Sequence, residues 1–76
     1  MQLIIDARGL ACPIPQMKTM ATIRSNEWAE IVVLVDEPAA RESVVRTATA
    51  LGLAYRVERD GEEFRLTILK EERHGQ

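Results

Sequence analysis

The hydrophobic pattern alternates between short apolar runs and helical spacing before settling into strict alternation. Gln2–Asp6 is a short apolar run that ends at an acidic residue and reads as a strand leading into the Arg8-Gly9 turn. From Pro13 to about Ser25 the period becomes helical. Met17, Met20 and Ala21 fall at three- and four-residue spacings, while Gln16, Lys18, Thr19 and Thr22 occupy the other sides. Ile31-Val32-Val33-Leu34-Val35 is nearly continuous and β-branched, which suits a strand covered on much of both faces. Asp36-Glu37-Pro38 then opens a second helix, with an acidic cap candidate and proline in the first turn. Its apolar stripe is Ala40, Val44, Ala48 and Leu51, with Val45 alongside, and Gly52 stops it.

Beyond Gly52 the period becomes two. Tyr55 and Val57 oppose Arg56 and Glu58, Phe64, Leu66 and Ile68 oppose Arg65 and Thr67, and Asp60-Gly61 between them signals a hairpin. The order strand, helix, strand, helix, strand, strand predicts an α+β fold of βαβαββ type. Two helices cover one face of a four-stranded mixed sheet, giving a two-layer α/β sandwich. Residues 1–70 form one domain, and the polar stretch 71–76 is expected to fray.

Composition narrows the classes of function. With 76 residues the chain holds a single small core, and 46% hydrophobic with 29% charged residues is the balance of a globular domain rather than a disordered one. Ten basic and twelve acidic side chains give a net charge of -2, so neither nucleic acid nor an anionic membrane is an expected partner. No apolar run suits a membrane-spanning helix, and Met1–Asp6 lacks the basic and apolar blocks of a secretory signal. A single cysteine excludes a disulfide framework within the chain, and the expected location is a reducing cytoplasm.

That cysteine, Cys12, carries the candidate chemistry. It closes a Gly-containing turn and directly precedes a helix opening with proline. If Cys12 is the cap, Pro13 is N1 and Pro15 is N3, and the sulfur sits at a helix N-terminus that favours an anion by about 0.3–1 kcal/mol. The two prolines remove two amides from the first turn, leaving those of Ile14 and Gln16 to face the sulfur. Two readings compete: a small hydrophobe filling a core gap, or a reactive sulfur. Gly9 and the paired prolines favour the second. A sulfur so placed could attack a donor persulfide and present the outer sulfur to another protein. No second cysteine exists to resolve a disulfide, and His74, the only histidine, lies in the tail, which disfavours thioredoxin-like, hydrolytic and metal chemistry.

Asp6-Ala7-Arg8-Gly9-Leu10-Ala11-Cys12-Pro13-Ile14-Pro15 resembles the CPxP signature of the TusA/SirA/YedF family of small sulfur carriers. The resemblance extends through Val35-Asp36-Glu37-Pro38-Ala39-Ala40-Arg41-Glu42 to about Leu69 and is nearest to the YedF-like N-terminal branch. It implies the βαβαββ sandwich found in the C-terminal domain of translation initiation factor 3. It also implies a sulfurtransferase in which Cys12 bears a transient persulfide and no other cofactor is needed. Gly9, Pro13 and Pro15 would shape the loop, and Asp6 and Arg8 fill the polar motif positions. The implied partners are a cysteine desulfurase or rhodanese-like donor and a downstream sulfur-acceptor protein. The alternative is a regulatory or protein-interaction domain on the same scaffold, with a possible link to selenium metabolism.

The remaining residues divide between roles. Arg8 either meets a partner carboxylate or pairs with Asp6, and Asp6 organises the turn by accepting backbone hydrogen bonds. Lys18, Arg41 and Arg46 are candidates for docking an acidic partner. Met17 and Met20 could form a soft docking patch beside Cys12, but their spacing favours core packing. Trp28 either packs over the helix end or is exposed for a partner.

Overall fold

The computed structural model describes residues 2–25 and 28–72, without the side chains of residues 71 and 72. Six elements follow in the expected order: β1 (Gln2–Asp6), α1 (Ile14–Arg24), β2 (Glu30–Val35), α2 (Pro38–Ala50), β3 (Leu53–Asp60) and β4 (Glu63–Glu72). The sheet order is β1-β2-β4-β3, with β1 parallel to β2 and both other pairings antiparallel. Parallel neighbours need a crossover, and α1 supplies it. The second helix carries the chain to the far edge, and the hairpin then inserts β4 between β2 and β3. Strand β4 reaches Glu72, two residues into the stretch expected to fray, while residues 73–76, His74 among them, lie outside the described residues.

The core lies between the sheet and the helices. Ile31, Val33 and Val35 from β2 and Leu66 and Ile68 from β4 pack against Ala40, Val44 and Ala48 of α2. By the alternation of a strand, Val32 and its cross-strand partner Thr67 lie on the opposite face, and both are buried there. The near-continuous apolar run of β2 is therefore covered on both sides. Trp28 is only 6% exposed and donates its indole N–H to the Ile23 carbonyl at 3.0 Å, so it packs over the end of α1. The Lys70 ammonium sits 4.9 Å from the Trp28 ring centroid.

Several local expectations are corrected. The stripe Met17, Met20 and Ala21 is not the buried face of α1, because Met17 is 61% exposed, Ala21 is exposed and Met20 is half-buried. The helix instead buries Pro15 and Thr19. Thr19 can enter the core because its hydroxyl donates to the Pro15 carbonyl at 2.8 Å, leaving a satisfied group that packs by its methyl. In α2, Ala40, Val44 and Ala48 are buried as expected, but Leu51 is exposed and Thr47 joins the buried set. Leu51 falls at the helix C-cap, where the chain turns away through Gly52 at φ +73°. The expected hairpin forms, and because Asp60 pairs with Glu63 its loop is Gly61-Glu62.

Candidate functional site at the carboxyl ends of strands 1 and 2

The parallel pairing of β1 with β2 puts the chain beyond Asp6 beside the chain beyond Leu34, and this sets the site. Ala7 continues the ladder by donating its N–H to the Leu34 carbonyl at 2.9 Å and is fully buried. Leu10 N–H then closes a turn onto the Ala7 carbonyl at 3.3 Å. The third position of that turn is Gly9, at φ +79°, the region a type II turn demands and a side chain resists. Nothing lies within 4 Å of a Cβ built on Gly9, so the requirement is conformational rather than one of space.

Asp36, read above as a cap for α2, does different work. The Gly9 N–H donates to its two carboxylate oxygens at 3.0 and 3.1 Å. The N-cap of α2 is Glu37, which makes no side-chain capping bond, with Pro38 opening the helix. Asp36 therefore ties the loop before Cys12 to the end of β2. The signal for this was the parallel pairing itself, since Asp36 stands two residues past Leu34, the partner of Asp6.

Asp6 and Arg8 form a clamp on the rim. The Arg8 guanidinium donates to both Asp6 oxygens at 2.7 and 2.8 Å, and the Arg8 backbone N–H reaches Asp6 at 3.3 Å. Glu63, at the start of β4, adds a weaker contact to Arg8 at 3.4 Å. The hydrogen bonds from Arg8 bring the Asp6 carboxyl from 3.8 to about 2, and the same carboxylate raises Arg8 further above its ordinary value. Both side chains are exposed, so the pair fixes local geometry more than it stabilises the fold. Glu63 went unnoticed in the sequence because the hairpin that delivers it is remote along the chain.

Cys12 itself is exposed. The helix starts one residue later than its motif suggested: Pro13 occupies the N-cap and Pro15 follows inside the first turn. The Cys12–Pro13 peptide bond is cis, and Ile14 N–H donates to the Ala11 carbonyl at 3.0 Å. The Ile14 amide is thus committed to the turn and is not directed at the sulfur. The side chain that does reach the sulfur is Ser43 of α2, whose Oγ lies 3.5 Å from Sγ. No motif pointed to Ser43; it reaches Cys12 across the packing of α1 on α2.

The candidate docking residues separate. Lys18 is exposed on α1 and lines a shallow groove with Ile4, Asp6 and Thr22. Arg46 is exposed on α2. Arg41 lies over the Phe64 ring, 5.1 Å from its centroid, with Glu42 at 3.7 Å, so its guanidinium is engaged within the fold. The exposed apolar residues nearest Cys12 on α1 are Ile14 and Met17, and Met17 shares a surface groove with Gln16, Met20, Ala21 and Arg24. Among the described residues no cluster of histidine, cysteine or carboxylate side chains could hold a metal, and no helix is long and apolar enough to cross a membrane.

Comparison with known proteins places this architecture. The fold is shared with a SirA-like protein from Desulfitobacterium hafniense, whose crystal structure superposes with a TM-score of 0.81 at 29% identity, covering 95% of this chain and 100% of that one. No curated protein matches the chain. A sequence profile described as sulfurtransferase TusA matches residues 3–70, nearly the whole chain. The chain belongs to the TusA family of sulfurtransferases.

Proposed function

We propose that the protein is a sulfur carrier that accepts sulfane sulfur as a persulfide on Cys12 and relays it to an acceptor protein. The observation that carries this reading is the exposed Cys12 at the tip of a doubly fixed loop. Gly9 is bonded to Asp36, and the helix opens immediately behind the sulfur. Both halves of a relay need access, because donor and acceptor must each bring their reacting group to the outer sulfur. Rigidity matters as well, since a sulfur held in place loses less freedom on reaching the exchange geometry. The donor is a cysteine desulfurase or a rhodanese-like protein, and the acceptor is a protein downstream of it.

Partners dock on the exposed side of α1. Ile14 and Met17 give it apolar surface close to Cys12, and its only charged residues are Lys18 and Arg24. A partner presenting apolar side chains within an acidic rim would complement it. Lys18 and Arg46 remain free to contribute, whereas Arg41 would first have to leave Phe64. Asp6, Arg8, Gly9, Pro13 and Pro15 support the loop.

The test is intact-protein mass after incubation with a cysteine desulfurase and cysteine, without reductant. Wild type gains a reductant-labile sulfur. Cys12→Ser does not, while keeping its fold and its binding to the desulfurase. Equal gain in both proteins would overturn the assignment, and partner binding without any sulfur uptake would favour an interaction domain instead.

A further inference from the structure

Three helical hydroxyls in this protein bond back to their own helix, and Ser43 has a different partner. Thr19, Thr22 and Thr47 each donate to the carbonyl four residues back, at 2.8, 2.9 and 3.0 Å. The Ser43 hydroxyl instead has Cys12 Sγ as its partner, at 3.5 Å, within the range of a hydrogen bond to sulfur. Ser43 is half-buried on α2, so the contact joins α2 to the loop before α1 at the reacting atom. A hydroxyl can donate or accept, but towards a sulfur gathering negative charge it can only donate usefully.

We infer that Ser43 assists release of sulfur from Cys12 by donating a hydrogen bond to Sγ as it departs. The inference rests on the persulfide reading above. In loading, the Cys12 thiolate attacks the outer sulfur of a donor R–S–SH. A bond forms between Sγ and that sulfur, the donor's S–S bond breaks, and its electron pair leaves on R–S⁻. In release, a nucleophile attacks the outer sulfur of Cys12–S–SH. The bond to Sγ breaks, and its electron pair returns to Sγ while the nucleophile keeps the transferred sulfur.

Negative charge therefore leaves Sγ during loading and gathers on Sγ during release. A donor already in place at Sγ stabilises the second transition state relative to the loaded protein and makes the sulfur a better leaving group. During loading the same donor holds the charged starting state, so it gives no acceleration. Ser43 thus biases the carrier towards giving sulfur up. A merely structural role would affect both directions alike.

The experiment measures the two directions separately. Protein is loaded with glutathione persulfide, freed of donor and mixed with cyanide, which removes the outer sulfur as thiocyanate and leaves Cys12. Thiocyanate formation from Ser43→Ala is expected to be about threefold to tenfold slower than from wild type, the scale of one hydrogen bond to developing charge. Loading of that variant, followed by mass, stays at or above the wild-type rate, and Ser43→Thr restores release. Release at the wild-type rate, equal slowing of both directions, or a threonine variant as slow as the alanine one would each overturn the role of Ser43. Failure of wild type to take up sulfur would overturn the persulfide reading itself, which separates the two outcomes.

Discussion

The two helices differ in how they meet the sheet. Helix α2 is conventionally amphipathic: Ala40, Val44 and Ala48 recur every four residues and are buried, while Arg46 on its outer side is exposed. Helix α1 buries Pro15 and Thr19 and leaves Ile14 and Met17 on the surface, 44% and 61% exposed. Apolar side chains that a folding argument would place inside therefore stand outside, on the helix that follows Cys12. One helix spends its apolar residues on packing, and the other leaves two of them on the surface, where the proposed partner docks. The general lesson is that helical spacing identifies a face without saying what it faces.

The largest expected effect on stability comes from the packed helix. Val44→Ala removes buried methyl groups from a fully enclosed site and should cost about 2 kcal/mol in denaturant unfolding, with sulfur uptake by the remaining folded protein unchanged. Asp36→Ala should cost less, about 1 kcal/mol, because it strips the acceptor from the Gly9 amide at the surface. It should also slow loading, since the loop that presents Cys12 is then tied to β2 less firmly. Asp36→Asn, which keeps an acceptor oxygen, should fall between the variant and wild type in both assays.

The Asp6–Arg8 clamp predicts a pH dependence. The Asp6 carboxyl titrates at about 2 in the folded protein against 3.8 for the ordinary group. A lowered value means that its stabilisation is present above the ordinary value and is lost as pH falls towards the folded one. The stability difference between wild type and Asp6→Asn should thus be constant at neutral pH and shrink as pH falls from 3.8 to about 2. Added salt should reduce the same difference at neutral pH, because the pair is exposed. The smallest effect on stability belongs to the contact helix. Met17→Ala should change unfolding by no more than about 0.5 kcal/mol, yet weaken binding to a sulfur-donor protein by about fivefold in calorimetry.

Most of the architecture was legible because each element carries a pattern tied to its environment. The β-branched run of β2 marks a strand covered on both sides, the four-residue repeat of α2 marks a helix on a sheet, and alternation marks β3 and β4. The face of α1 was not legible. Beside Pro15 it buries a threonine, Thr19, whose polar atom is satisfied by its own helix, and a periodicity of apolar residues cannot register that. The position of Cys12 was legible from its motif, but its surroundings were only partly so. The roles of Asp36, Ser43 and Glu63 arise from contacts 27, 31 and 55 residues distant along the chain. Local pattern carries no information about such pairs until strand order and register are fixed. Asp36 shows the cost most clearly: in Asp36-Glu37-Pro38 it stands where a helix opens, and only the neighbouring loop gives it a different partner.

The central claim is that Cys12 both receives and surrenders sulfur, and labelled sulfur tests it most directly. The protein is loaded from a cysteine desulfurase supplied with sulfur-labelled cysteine, and its peptides are mapped before and after a chase with excess thiol. The label should appear on the peptide containing Cys12 and disappear from it during the chase. Label that is absent from that peptide, or that stays on it through the chase, would contradict a carrier role for Cys12.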